Sequence, residues 1–419
     1  MQTAAPVHNT EREKLMDILR GFAILGIFIA NLRFMSFYDE RNIVGAYHYN
    51  IDSKVSFLHA MFIEGKFYSI FSLLFGWGIA LQLQRFREKG ILTTALIKRR
   101  LWGMLLFGFM HLLILWTGDI VAFYAMLGFA LLLFRNMEDK KLLLWGSILV
   151  LSPIVIYFLK MKFLWLNAPA GFLFDMNGKI EQAFNGVNGG RDGSGVAQTS
   201  TWLSIWKQNL AGIFGRYGYL FFVSRISKVL GMFLIGFWLG KNANYKKLLA
   251  NSNLLKKIAL AGFIIGLPMN YMLARYMQHE DDYFQLKMNG FYQTLVYALG
   301  VAPLALAYAA TIAMVYKAII GRKILSVLQP VGKMAFSNYI MHSLIGILTF
   351  YGVGLGYGGQ VGPAAWTVYA LLVFMFQIIF STIWLSYFNY GPLEWVWRSM
   401  TYRKWQPMIK DKNLPALST

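Results

Sequence analysis

Residues 15–31 read Leu15-Met-Asp-Ile-Leu-Arg-Gly-Phe-Ala-Ile-Leu-Gly-Ile-Phe-Ile-Ala-Asn31, an apolar run broken by Asp17, Arg20 and the closing amide. Extended to about residue 37, it is long enough to cross a hydrocarbon core, which takes roughly 20 residues. A charge at that depth costs on the order of 3 kcal/mol or more, so it needs a partner or a task. Asp17 and Arg20 stand three apart, the spacing at which helix side chains meet. Asn31 lies about three turns beyond Arg20, nearly on the same stripe and roughly 16 Å further along. The stripe reads as the wall of an internal path; the competing reading is a helix-start ion pair with an interfacial amide. The segment carries no small-residue cleavage site and is expected to be retained.

The whole chain has the same character. Its 419 residues are 57% hydrophobic and 14% charged, against about 25% charged in soluble domains. The expected fold class is all-α: a polytopic integral membrane helix bundle of about ten transmembrane helices. Apolar stretches fall at roughly 15–37, 57–84, 100–117, 119–134, 142–160, 208–240, 258–275, 291–316, 324–350 and 365–388. The sixth is too long for one straight span, so Asn209 to Gly218 is expected to re-enter or lie at the interface. The net charge of +21 concentrates in alternate connections, including Arg85, Arg87, Lys89, Lys98, Arg99 and Arg100. Because Lys and Arg in short loops are retained in the cytoplasm, both termini are expected to be cytoplasmic. This surplus faces anionic lipid, and a soluble nucleic-acid-binding protein is excluded. The absence of cysteine removes disulfides, thiolate nucleophiles and sulfur-ligated metals. The chain divides into an N-terminal transmembrane half (1–160), a Gly/Asn-rich extracytoplasmic loop (161–207), a C-terminal transmembrane domain (208–402) and a basic cytoplasmic tail (403–419).

Four further groups interrupt the apolar spans. Gly108-Phe-Met-His-Leu-Leu-Ile-Leu-Trp-Thr-Gly-Asp-Ile120 places His111 within the hydrocarbon and Asp119 just after a glycine turn. If that turn folds Asp119 back, the carboxylate fixes the imidazole in one tautomer, as a general base requires. The alternative is an ordinary hydrogen-bonded packing histidine. Arg225 and Lys228 are three apart with no acid nearby in sequence, so they seek a phosphate or carboxylate ligand, or an acid from another helix. Asn338 and His342 are i, i+4 neighbours, either at a binding site or in a helix–helix hydrogen bond. His59, Glu64 and Lys66 are ordinary if the second span starts near Lys66, and otherwise line an outward-facing site. No Walker loop, dinucleotide fingerprint or metal-ligand motif is present, and no metal is expected.

These residues resemble the YeiB family of bacterial inner-membrane proteins. In the N-terminal half the resemblance is carried by residues 15–31, Phe71-Ser-Leu-Leu-Phe-Gly-Trp-Gly78, His111, Trp116-Thr-Gly-Asp-Ile120 and Tyr124-Ala-Met-Leu-Gly128. Pro330-Val-Gly-Lys-Met-Ala-Phe-Ser-Asn-Tyr339, Ser381 to Trp384 and Gly391-Pro-Leu-Glu-Trp-Val-Trp-Arg-Ser-Met-Thr-Tyr402 resemble its C-terminal domain of unknown function. The family in turn is similar to the transmembrane acyltransferase superfamily through the Asp17-x-x-Arg20-Gly21 first helix. That similarity implies an intramembrane histidine moving an acyl group from cytoplasmic acyl-CoA to an acceptor at or across the inner membrane. In the superfamily the histidine follows the first helix closely; His48 and His59 stand nearer that position, while His111 has the stronger local context. On this reading His111 is the base, Asp119 its orienter and Asn31 a donor to the acyl oxygen. Arg225 and Lys228 hold phosphate, while Asp17, Arg20, Asn338 and His342 contribute to binding. The expected partners are membrane lipids and a small-molecule or lipid-linked acceptor, with a homodimer left open. A transporter or flippase for a small anionic or lipid-linked solute uses the same charged stripe as a path; a structural partner of another envelope protein is the third reading.

Overall fold

A computed structural model describes residues 13–38, 47–88, 93–185 and 199–410. The Gly/Asn-rich run beyond residue 185 and the tail beyond Lys410, with Lys412, fall outside the described residues. The described chain is an all-helical membrane bundle. Its main helices are α1 (Lys14–Met35), α2 (Asp52–Phe62), α3 (Lys66–Glu88), α4 (Thr93–Ile114), α5 (Val121–Leu131), α6 (Asp139–Lys162), α7 (Ala168–Asn185) and α8 (Trp202–Phe222). They continue as α9 (Arg225–Gly240), α10 (Ser252–Tyr276), α11 (Met288–Lys317), α12 (Gln329–Lys333), α13 (Ala335–Phe350), α14 (Pro363–Tyr387) and α15 (Pro392–Tyr402).

Helix occurs in each of the ten apolar stretches, but only six helical segments among the described residues are long and apolar enough to cross a membrane, or seven if the bent pair α8–α9 is one span. The difference from ten has a physical basis. Residues 100–117 belong to a helix, Thr93–Ile114, that carries Lys98, Arg99 and Arg100 in its first half, while residues 119–134 and the Ala335–Phe350 helix are short apolar pieces. The stretch expected as a loop at 161–207 is largely helical as well, because α7 packs along α8, Phe174 lying against Gly218 and Asn177 against Gly215.

Burial sorts the helices into layers. The apolar window of α1 is 72% buried, whereas those of α6 and α14 are 22% buried. A helix apolar all round belongs in the middle of a bundle, and α1 accordingly packs on α3, α11, α12, α13 and α14. By contrast α6 turns Leu144, Trp145, Ile148 and Val155 outward. The close seat of α12 on α1 depends on Gly332, where a Cβ would stand 1.7 Å from the Asp17 carbonyl oxygen.

The sixth stretch is broken. Val223 and Ser224 separate α8 from α9 at an angle of 69°, with Ser224 in the left-handed region at φ 52°. Such a break orphans carbonyls at the end of α8. The Lys160 ammonium, from α6, donates to those of Phe221 (3.2 Å) and Phe222 (3.0 Å).

Candidate active site

Carbonyl and amide geometry at the end of α4 brings His111 and Asp119 together. The backbone N–H groups of Leu115 and Trp116 both donate to the His111 carbonyl, closing the helix into a tight turn. Gly118 completes it beneath the Trp116 indole, where a Cβ would meet the ring at 2.1 Å. Asp119 then points back. Its Oδ1 lies 3.0 Å from His111 Nδ1, and its Oδ2 accepts the Ala122 N–H at the start of α5 (2.6 Å). A helix N-terminus favours a carboxylate at that position.

The other imidazole nitrogen has a partner that sequence reading missed. His111 Nε2 is 2.8 Å from Ser343 Oγ of α13. The tautomer that satisfies both contacts has Nδ1–H donating to Asp119 and Nε2 accepting from the serine hydroxyl, an assignment from the hydrogen-bond network. His111, Asp119 and Ser343 are all buried, so the three form an Asp–His–Ser chain away from water. The Tyr339 ring, one turn before Ser343, lies 5.3 Å from the imidazole, and its hydroxyl accepts the Ile120 N–H (3.1 Å). Ser343 follows His342 directly, and only the facing of α13 toward α4 distinguishes it from the other serines.

A cavity of about 230 Å³ lies beside this cluster, lined by its neighbours Ile120 and Tyr339 but not by His111, Asp119 or Ser343 themselves. Ile120, Val121, Ala335, Phe336 and Tyr339 are among its lining residues, with apolar and aromatic side chains such as Phe71, Leu74 and Phe75. Its lining also includes the cations Arg20, Arg85, Arg100, Lys333 and Arg398, with the acids Glu13, Asp17 and Glu394. Asp17 and Arg20 pair at 2.9 Å as their spacing predicts, and both line the cavity. Glu394, on the short helix α15 outside the candidate spans, accepts the N–H groups of Phe336 (2.8 Å) and Ser337 (3.1 Å) at the start of α13. Burial pushes its carboxyl above the usual carboxylate range, against the pull of those donors and the Ser337 hydroxyl.

The remaining expected site residues lie elsewhere. Asn31 is half-buried, lines no part of the cavity and makes no hydrogen bond to His111 or Asp119. Asn338 and His342 do not bond one another; each turns to α14. Asn338 Nδ2 donates to Ser381 Oγ (3.0 Å), and His342 Nε2 meets Gln377 Oε1 (2.7 Å) while its ring stacks on Phe28 at 4.0 Å. This is the helix–helix alternative. Arg225 and Lys228 are absent from the cavity lining and lie over the rings of Tyr68 and Tyr297. His59 contacts Thr367 Oγ1 (3.0 Å), while Lys66 Nζ donates to the Ala60 carbonyl at the α2–α3 joint. No group of three or more His, Asp or Glu that could hold a metal occurs among the described residues.

Fold and site together define a polytopic helical membrane protein with a buried Asp–His–Ser chain beside a cation-lined cavity. The family model described as "Protein of unknown function (DUF418)" matches residues 239–404. The Bacillus subtilis (strain 168) protein named "Uncharacterized protein YxaH" is 32% identical over 417 residues, covering 98% of this chain and 99% of the relative. The Escherichia coli (strain K12) protein named "Uncharacterized protein YeiB" is 26% identical over 416 residues, covering 95% and 98%. The chain belongs to this YeiB/YxaH family of proteins carrying the DUF418 domain. No solved structure matches it.

Proposed function

We propose that the protein is an acyl-CoA-dependent acyltransferase of the bacterial inner membrane, with both termini cytoplasmic. The observation that carries this reading is the Asp119–His111–Ser343 chain, next to Tyr339, which lines a cavity that is both cationic and apolar. Acyl-CoA has matching halves: phosphates for Arg20, Arg85, Arg100 and Arg398, and an acyl thioester for the apolar interior. The positive-inside rule puts the Lys98–Arg100 end in the cytoplasm, where the donor is made.

The chemistry follows from the hydrogen bonds. Ser343 Oγ occupies the place at Nε2 where a general base receives a proton. With the Tyr339 ring swung aside, Ser343 Oγ attacks the thioester carbonyl and passes its proton to His111. The C–S bond then breaks, and the sulfur leaves with that proton as free CoA thiol. An acceptor hydroxyl or amine next attacks the acyl-serine, giving its proton to His111, which returns it to Ser343 as the ester bond breaks. Asp119 holds the Nδ1 proton and stabilises the transient imidazolium throughout.

Incubation of the purified protein with an isotopically labelled acyl-CoA, followed by peptide mass spectrometry, tests this. Acyl label is expected on Ser343 in the wild type and in neither Ser343→Ala nor His111→Ala. An unlabelled protein that also fails to bind any CoA species sinks the reading. A transporter or flippase is the second reading, favoured by the broken α8–α9 pair, since interrupted spans are a recurrent element of transport sites. It predicts solute movement without acyl-CoA.

A further inference from the structure

The break at Ser224 exposes two helix ends, and they are treated differently. The carbonyl end of α8 is neutralised by Lys160. The amide end of α9, a helix of 16 residues, has no side-chain cap from Ser224. Its first turn carries Arg225 and Lys228, and nearly two turns back from the end of α8 stands Arg216. Among the described residues no carboxylate lies within ion-pairing distance of any of the three. Their contacts are instead aromatic or weak. The Arg225 guanidinium lies 4.4 Å from the Tyr68 ring and donates to Tyr297 Oη (3.2 Å), while Lys228 Nζ lies 4.0 Å from the Tyr297 ring. Tyr68 and Tyr297 are joined through their hydroxyls at 2.8 Å. Arg216 reaches only the Asp119 carbonyl, at 3.5 Å, and its Nε is buried without a partner. Arg216, Tyr219 and Arg225 nevertheless keep some accessible surface.

Three cations and an uncapped helix N-terminus, with Glu64 and Asp119 acting on them at a distance but no carboxylate in contact, form a positive locus within a low-dielectric bundle, where incompletely paired charge is expensive. Two guanidiniums with unfilled donors suit a tetrahedral oxyanion better than a monatomic one, and the helix end adds its amides. We infer that this cluster is a second binding site, separate from the cavity, for a phosphate-bearing ligand held by Arg216, Arg225, Lys228 and the first turn of α9. Through Arg216 the site reaches the carbonyl of Asp119, a member of the Asp–His–Ser chain. Taking the bound phosphate compound as the acyl acceptor rests on the acyltransferase reading; the anion binding itself does not.

The test is thermal stability of the detergent-purified full chain titrated with inorganic phosphate at fixed ionic strength against chloride, and of the chain in phosphatidylglycerol as against phosphatidylcholine nanodiscs. Phosphate is expected to stabilise beyond chloride if the ligand is a soluble phosphate compound, and only phosphatidylglycerol is expected to do so if it is a lipid headgroup. Either supports the site, provided that Arg225→Gln and Lys228→Gln weaken the effect at least about tenfold while any acetyl-CoA shift seen in the wild type is retained. Stabilisation by neither, or stabilisation unchanged in both variants, overturns it. Should the variants not fold, phosphorus NMR of phosphate or of the headgroup with the wild type decides, absence of line broadening counting against the site. A wild type that responds to phosphate and to no CoA species keeps this site and loses the acyltransferase reading; the reverse loses this site alone.

Discussion

Ser337 is held by Glu394 from two directions: its N–H donates to Oε1, and its hydroxyl donates to Oε2 while accepting the Leu393 N–H. The last helix therefore caps the first turn of α13, the helix that carries Ser343 one and a half turns further on. A carboxylate from a distant segment is doing what a local N-cap side chain does in other helices, worth about 0.5–2 kcal/mol.

That cap gives the protein a pH-dependent stability term. Burial raises the Glu394 carboxyl above its ordinary value, so over an interval of pH the folded chain retains a proton that the unfolded chain has lost. Its contribution is full below the ordinary carboxylate range, about pH 4, and is lost as pH climbs through the raised value. The melting temperature of the wild type is expected to fall relative to Glu394→Gln as pH rises from about 4 to neutrality. Parallel melting curves across that range count against it.

Asp119→Asn keeps the shape of the turn but removes the acceptor that fixes the His111 tautomer. Acyl transfer by this variant is expected to drop by about a hundredfold or more, the scale of positioned acid–base catalysis. Single-turnover labelling by acyl-CoA measures it. In contrast His342→Gln, which changes a contact with Gln377 and a stack on Phe28, is expected to cost stability and leave the labelling rate within a fewfold.

Arg20 and Arg398 line the cavity, and a charge-assisted hydrogen bond is worth about 1.5–3 kcal/mol. Arg398→Gln is expected to weaken CoA binding by about tenfold or more without altering the rate at saturating donor. Isothermal titration with CoA checks the first part, and saturation kinetics the second.

Gly332→Ala puts a methyl group 1.7 Å from the Asp17 carbonyl oxygen. Overpacking of this kind costs about 1–3 kcal/mol, here between the two helices that bear Arg20 and Lys333. Fluorescence-detected size-exclusion after brief heating should show a lower midpoint than in the wild type.

Much of this was legible in one dimension. Apolar runs long enough to cross a bilayer show as composition because lipid selects residue by residue. Neighbours on one helix face show as spacing, so Asp17 with Arg20 was found at its sequence separation. The turn Trp116-Thr-Gly-Asp119 also gave itself away, since Gly118 marks the only fold-back that brings Asp119 to His111. The number of crossings was less secure: hydropathy counts apolar stretches, whereas a crossing depends on how long each helix runs unbroken, and the Ser224 bend and the short helix α13 are settled by packing.

What tertiary structure alone decided is which helix faces which. Ser343 is one serine among many in the chain, and its position against His111 is a contact across 232 residues that depends on α13 lying beside α4. Arg225 and Lys228 were legible as cations needing partners, but their tyrosines come from α3 and α11. Asn338 and His342, neighbours in sequence register, were drawn apart toward α14. Local spacing fixes what a helix presents, because backbone geometry repeats every few residues; it carries no record of the partner, which is set by the burial of every helix in the bundle at once.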